Sequence, residues 1–507
     1  MYFVIKNLHQ LYRRDYSIKS FKFLFKGQAI SVDFTFVFAI IKNIHNYWGK
    51  MFKSVSSILF WVVLVFLVSG CGTSKKSSST ATNTTTIETK KTTESKSVVH
   101  KILKRKIPTL VVVMNWNDYS ESDPSLWHDK IFNMTKNSVN QWYAENTFNQ
   151  IEFIPVHETQ GNIDDGVIMV NMNKNHPGGK DKREFRDTEI RSAITNAAVV
   201  NNMDFAALDS DGDGSLNAKE LQIIFIVAGG EQAYGDPQSH SIWAHSFSFD
   251  SDSTLKVDGV YVMRYTGENS TSGTYTCFGA NHGTHKATIG IMCHELGHAA
   301  FFLKDYYDDG DGSGLGWYDI MSGGAWAYQP SDLYAGETPT QYTAFNKIDA
   351  ELDVNVTTLS ASDEVTLGCS GRDFVKLTTS KSNEYFLLEC RDTAKAHSDI
   401  SFSTADTAFG DNTLFAMMYH VDTDKTDNTE DGIQTENNHY MVEVVEKDSS
   451  TLMTNTTGIY ADFSDVYTQG DLITKTNLYD GSNTGYSVEI VNADYINREM
   501  TLKIIKK

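Results

Sequence analysis

Three textures of hydrophobic and polar positions follow one another along the chain. The stretch TLVVVMNW, near Ile107, is a β-branched run with almost no polar interruption, the pattern of a buried strand. Over 125–146 the apolar residues Trp127, Ile131, Met134, Val139 and Trp142 recur at steps near one helical turn, which predicts a helix. A further helix is expected over about 186–200, a central strand over LQIIFIVAGG (221–230), and a helix over ATIGIMCHELGHAAFFL (287–303). Beyond about Pro330 short β-type runs alternate with polar turns: DEVTLGC, RDFVKLTT, NEYFLLEC, TLFAMMYHV, HYMVEVVE, YSVEIV and MTLKIIKK. That rhythm predicts a separate all-β, sandwich-like domain.

The region before the first strand has a different logic. Residues 51–71 read MFKSVSSILFWVVLVFLVSGC: a lysine, eleven apolar residues from Ile58 to Val68, then small residues before a cysteine. The run is short for a bilayer span and suits a signal peptide. Val68-Ser69-Gly70-Cys71 resembles the bacterial lipobox, which makes Cys71 the expected lipidation site. A short membrane anchor or buried helix is the plainer alternative. A signal peptide belongs at a start, so Met51 is the expected start and 1–50 a doubtful extension. Residues 72–104 open with a Ser/Thr/Lys-rich tract that cannot bury enough apolar surface to fold, and read as a flexible tether. Residues 105–335 then form the expected catalytic domain and 336–507 the β domain.

Composition narrows the class. The hydrophobic fraction is 40%, enough for a packed core, and 44 Lys+Arg against 64 Asp+Glu give a net charge of −20. That balance excludes a nucleic-acid binder, which needs a basic face against phosphates. Beyond Cys71 lie Cys277, Cys293, Cys369 and Cys390; in an exported protein two disulfides are possible, and spacing leaves their pairing open. Cys293 also fits as a small buried residue.

The chemistry concentrates in HELGHAAFFLKDYYD (294–308). On a helix His294 and His298 project from one face a turn apart and can share a zinc ion, while Glu295 points alongside it as a general base for a zinc-bound water. About twenty residues on, Asp319-Ile320-Met321-Ser322-Gly323-Gly324 offers a tight turn with a methionine that can floor such a site. Tyr318 and Tyr328 flank that turn as candidate hydrogen-bond donors. His282 and His285 read as loop histidines rather than ligands.

HELGH, the Asp-Tyr turn and Gly-Trp-Tyr-Asp-Ile-Met-Ser-Gly-Gly together resemble the immune inhibitor A family of secreted bacterial zinc metalloproteases. SVNQWYAENTFNQIEF (138–153), EYFLLECRD (384–392) and NLYDGSNTGYSVEIV (477–491) are similar to other segments of that family, so the likeness runs over about 107–507. It implies an α+β zincin/metzincin-like catalytic domain. The family pattern H-E-x-x-H-x-x-G-x-x-D/H is not met in register: Phe301 and Lys304 stand where Gly and the third ligand belong. A one-residue insertion would bring Asp305 to the metal; Asp308 is the alternative ligand.

A second metal motif is DSDGDGSLNAKE (209–220). Asp209, Asp211 and Asp213 occupy positions 1, 3 and 5 of a calcium loop, Ser215 position 7 through its carbonyl, and Glu220 position 12. A strand-like run follows instead of a long helix, so structural Ca2+ is expected rather than a sensor. The family carries a similar stretch ahead of a strand.

The expected protein is an exported zinc endopeptidase acting on proteins or peptides. Its expected place is the bacterial cell envelope, lipid-anchored to the membrane and facing the periplasm or the exterior. The alternatives are a catalytically impaired surface binding protein on the same fold, and a metal-dependent hydrolase of a surface glycan.

Overall fold

The computed structural model describes residues 104–308, 313–394, 412–428, 438–448 and 461–507, with the backbone of two paired antiparallel strands, Ser20–Phe25 and Gln28–Asp33. Cys71, the signal-peptide reading and nearly all of the tether lie outside the described residues. Residues Ser97–Lys507 cluster as one compact unit. Among the described residues no helix is long and apolar enough to cross a membrane.

The first sheet explains the buried runs. Its path is His285–Lys286, Tyr275–His282, Gln222–Glu231, Arg105–Asn115 and Ile151–Pro155, with Val167–Asn171 beside Arg105–Asn115. Tyr275–His282, Gln222–Glu231, Arg105–Asn115 and Ile151–Pro155 run parallel. Every residue of Gln222–Glu231 is buried, because both faces of the sheet are covered. Side chains alternate between them: Val111, Val113, Ile224 and Ile226 join one core, and Leu110, Val112, Ile223 and Phe225 the other. The first core meets the helices Pro124–Phe132, Val139–Asn146 and Ile289–Phe301. Each buried Ile, Val or Phe contributes roughly 1.5–3 kcal/mol.

Two helix expectations change. The helix over 125–146 is two helices, because Asn137 takes φ 65° and Ser138 caps the second by accepting from the Gln141 N–H. Met134 falls in the break and is exposed. The helix over 186–200 begins earlier, at Lys182, passes through a π-turn at Arg186–Ile190 and ends at Ile194, and Ala197–Val200 is a separate short helix. Asn196 accepts from the Ala198 N–H and caps this last helix.

All seven β-type runs beyond Pro330 contain strands, in two sheets. One orders Asn355–Leu359, Asp373–Thr378, Glu384–Asp392, Leu414–Asp422 and Val442–Val444; the other Asp363–Gly368, Glu499–Lys506, Tyr486–Asp494 and Leu472–Ile473. Leu377, Phe386 and Met418 of the first share a core with Val488, Leu502 and Ile504 of the second. A Cys369–Cys390 disulfide joins the end of a strand in one sheet to a strand of the other, and Cys277 and Cys293 are free and buried. The opposite face of Glu384–Asp392 and Leu414–Asp422 contributes Leu387, Phe415 and Tyr419 to the core that carries Ile289–Phe301. One core therefore continues past position 335.

Candidate metal centre and cleft

Ile289–Phe301 is apolar around nearly its whole circumference and is accordingly buried. Side chains from neighbouring elements hold its carbonyls. Tyr143 Oη donates to Cys293 O at 2.9 Å and Thr274 Oγ1 to Ala299 O at 2.7 Å. This anchorage fixes where the two histidines point.

The geometry then converges. His294 Nε2 lies 3.1 Å from His298 Nε2, and Asp305 Oδ1 lies 3.2 Å from the first and 3.0 Å from the second. Three corners of a tetrahedron with arms of the zinc–nitrogen length stand about 3.3 Å apart, so the spacing fits one ion at the centre. Each imidazole is oriented through its other nitrogen: His294 Nδ1 lies 2.8 Å from Ile320 O and His298 Nδ1 2.6 Å from Leu303 O. Donation to those carbonyls leaves both Nε2 lone pairs for a metal.

The departure from the family spacing has a local cause. The helix ends in Phe302, whose φ is 58° and whose N–H reaches His298 O at 3.0 Å. This left-handed residue stands four past His298, where the pattern has its Gly three past, and Asp305 follows three later as the pattern requires. The extra residue therefore sits in the end of the helix. Asp308, the alternative, turns away and accepts from Tyr440 Oη. Lys304 is exposed on the rim of the cleft.

Met321 is fully buried beneath the histidines, and its turn is tied by Asp319. Asp319 accepts from the N–H groups of Met321 and Thr343, both at 2.6 Å, and from Asn346 Nδ2 at 2.8 Å. A Cβ placed on Gly297 would lie 2.5 Å from Met321 Sδ, so glycine lets the thioether seat this close between His294 and His298, and a larger residue would make it shift. Tyr318, a candidate donor by sequence, is buried and its hydroxyl donates to Asp462 O and Asp465 Oδ2. Tyr328 packs on Trp317 and does not line the cleft. His282 and His285 stay apart from the three ligand candidates: His282 stacks on Tyr234 and His285 on Tyr334.

Glu295 is 4% exposed and its Oε2 has no hydrogen-bond partner. Burial is the largest influence on its pKa and raises it, against the pull of His294 and His298. A buried, unpartnered carboxylate oxygen beside three converging ligands is the atom expected to meet a ligand of the site. The cleft continues along Lys180, Asp181, Lys182, Trp243, His245 and Tyr307.

Sequence reasoning missed Glu231, at the end of the central strand. It is fully buried and accepts from the N–H groups of Ala233 at 3.0 Å, Ala244 at 2.9 Å and Gly279 at 2.9 Å. It thereby anchors the cleft wall around Trp243 and His245. Nothing in LQIIFIVAGGE marks the residue, because its partners come from distant segments.

At the second motif the structure gathers Asp209, Asp211 and Asp213, each with a carboxylate oxygen within 4.8 Å of the others'. Gly214 has φ 82°, and its N–H donates to Asp209 Oδ2 at 3.0 Å. Glu220 closes the loop, accepting from Ser210 N at 2.8 Å and Asn217 N at 3.1 Å. Ser215 is buried and bridges to Tyr261.

Residues 158–352 match the family model of the immune inhibitor A peptidase M6 catalytic domain. The matched stretch holds the aspartate loop, the central strand, the histidine helix and the methionine turn, and it defines a metallopeptidase, a hydrolase of peptide bonds. The resemblance to the immune inhibitor A family is thus shown over that stretch; the similar segments at 138–153, 384–392 and 477–491 lie beyond it. No curated protein matches the chain.

Glu231 carries a testable pH signature. Burial dominates and raises its pKa to about 7 from 4.5, although the three N–H donors pull it down. Between these values the folded chain keeps a proton that the unfolded chain has lost. Stability therefore falls as pH rises through the window, by up to about 1.4 kcal/mol per pH unit. Urea unfolding of Glu231→Gln at several pH values should show this fall removed; an unchanged slope would place the dependence elsewhere.

Proposed function

We propose that this protein is a zinc endopeptidase with a metzincin-like catalytic domain and a sandwich-like C-terminal β region. The convergence of His294, His298 and Asp305 beside the unpartnered Glu295 oxygen carries the reading. These residues fit zinc and would hold it through two nitrogen donors and one carboxylate. When bound, the metal supplies Lewis acidity, polarising the scissile carbonyl and acidifying the attacking water.

The chain's own residues do the rest. Glu295 Oε2 takes the proton of the attacking water, and burial makes that oxygen a stronger base than an exposed carboxylate. The same carboxyl then delivers the proton to the leaving nitrogen. His294 and His298 are held by Ile320 and Leu303, and Met321 fixes the floor under them. Substrate alignment follows from the wall at 243–246. Among the described residues His245–Phe247 pairs only with Tyr275–His282, so an extended peptide can add along its other edge as a further strand.

Casein hydrolysis by the full chain loaded with zinc tests the reading. Wild type should cleave. Glu295→Ala should keep zinc and lose activity at least 100-fold, and Asp305→Ala should lose zinc and activity together. A folded wild type that binds no zinc and cuts nothing would favour the surface binding protein on the same fold.

We further read the loop 209–220 as a structural Ca2+ site, since its donors are hard oxygens on a turn that glycine permits. Asp209, Asp211 and Asp213 supply three carboxylates, and Ser215 and Glu220 complete the positions of the motif. Calcium should raise the melting temperature of wild type and leave Asp209→Ala with Asp211→Ala unmoved; equal shifts in both would sink the assignment.

Export and anchoring at the bacterial envelope through a lipid on Cys71 rest on the lipobox-like sequence. Fractionation of cells should find wild type with membranes and Cys71→Ser released; a Cys71→Ser protein that stays with membranes argues against the anchor.

A further inference from the structure

The cleft carries lysines, in a chain whose net charge is −20. Cations gathered at a cleft of an acidic protein draw anionic groups to it against the repulsion of the remaining surface. The lysines that line it differ in what they face. Lys180 pairs with Glu184 at 3.1 Å and Glu189 at 3.3 Å. Lys304 adjoins Asp305, and its charge acts on Asp349. Lys182 is exposed, and among the described residues no carboxylate stands within ion-pair distance of it.

Lys182 is held beside the edge of the first sheet. Its Nζ lies 5.3 Å from the centroid of the Phe247 ring, a distance at which the face of a ring attracts a cation. Arg183 shares that ring at 6.0 Å but pairs with Asp250 at 2.7 Å. The neighbouring carboxylate, Asp181, caps the turn that carries Lys182, accepting from Arg183 N at 2.9 Å and Glu184 N at 3.4 Å. The charge of Lys182 acts on both His245 and Glu295, so the ammonium is within electrostatic reach of the cleft wall and of the reacting end. Phe247 ends the strand His245–Phe247, along whose other edge a peptide can add. Such a peptide turns every second side chain to the face that carries His245 and Phe247. A carboxylate on that face is the complement of the Lys182 ammonium.

We propose that Lys182 determines specificity, favouring peptides with an Asp or Glu side chain beside the scissile bond through an ion pair with that carboxylate. The assignment rests on the peptidase reading, with the peptide along His245–Phe247, and deepens it by naming the substrate class. The test starts from a casein-derived peptide whose cleaved bond has been located by mass spectrometry. Glu, Gln or Lys is placed in turn at each position around that bond. Values of kcat/KM are measured for the zinc-loaded wild type, Lys182→Gln, Lys182→Arg, Lys182→Glu and Lys304→Gln, with zinc content and melting temperature alongside.

At one position wild type should favour Glu over Gln by about fivefold, the strength of an exposed ion pair, and added salt should shrink the ratio. Lys182→Arg should keep the preference and Lys182→Gln should bring the ratio near one. Lys182→Glu should favour Lys instead, a reversal that damage to the fold does not produce. A wild type without preference for Glu at any position overturns the assignment and leaves the peptidase reading standing. So does a preference that survives Lys182→Gln, one that disappears in Lys304→Gln alone, or a Lys182→Gln protein that has lost its zinc. A wild type that holds zinc but cleaves no peptide overturns the peptidase reading, and this assignment falls with it.

Discussion

The close passage of Met321 beneath Gly297 is the constraint on which the rest of the site depends. It brings the turn 319–324 against the helix between the two histidines, so that Ile320 O can orient His294. The same contact positions Met321 O to accept from Tyr306, which begins the turn behind Asp305. All three ligand candidates are therefore referred to one buried thioether and one missing Cβ. Asp319 secures the arrangement by gathering three donors from two segments, and a buried carboxylate so well satisfied acts as a fastener rather than a reactive group.

Three buried acids make the division of labour plain. Asp319 and Glu231 are fully buried and each accepts three hydrogen bonds, three of the six from backbone N–H groups of segments other than their own. Glu295 is almost as deeply buried, yet one of its oxygens has no partner. Burying a carboxylate costs several kcal/mol unless it is compensated. An uncompensated oxygen is expected where a ligand or reactant completes it, and this one lies beside the converging imidazoles.

The β-rich C-terminal part takes part in building the site. Tyr318 reaches Asp462 and Asp465, Asp308 reaches Tyr440, and Asn428 Nδ2 lies 3.4 Å from Tyr306 O. Arg105 donates to Ala350 O at 3.1 Å and Glu351 O at 3.0 Å, joining the first strand of the sheet to the segment after 335. With Leu387 and Tyr419 in the same core as Leu296 and Met321, the matched peptidase stretch is packed as part of a larger interior.

The sequence by itself determined the elements whose period is strong and the candidate ligands carried on one helix. HELGH puts two imidazoles and a carboxylate on adjacent positions of a single turn, and helix geometry alone fixes that relation. The runs of Val, Ile and Phe likewise announce strands, because only a strand buried on both faces can be apolar at every position. Tertiary structure decided what depends on separate segments meeting. The breaks at Asn137 and Asn196 overrode an apolar spacing that read as continuous helix. That Asp305 and not Asp308 stands beside the histidines turned on where Phe302 ends the helix, a left-handed residue that no spacing reveals. Glu231 stayed silent for the same reason: a lone Glu at a strand end gains meaning only from the backbone amides that folding brings beside it.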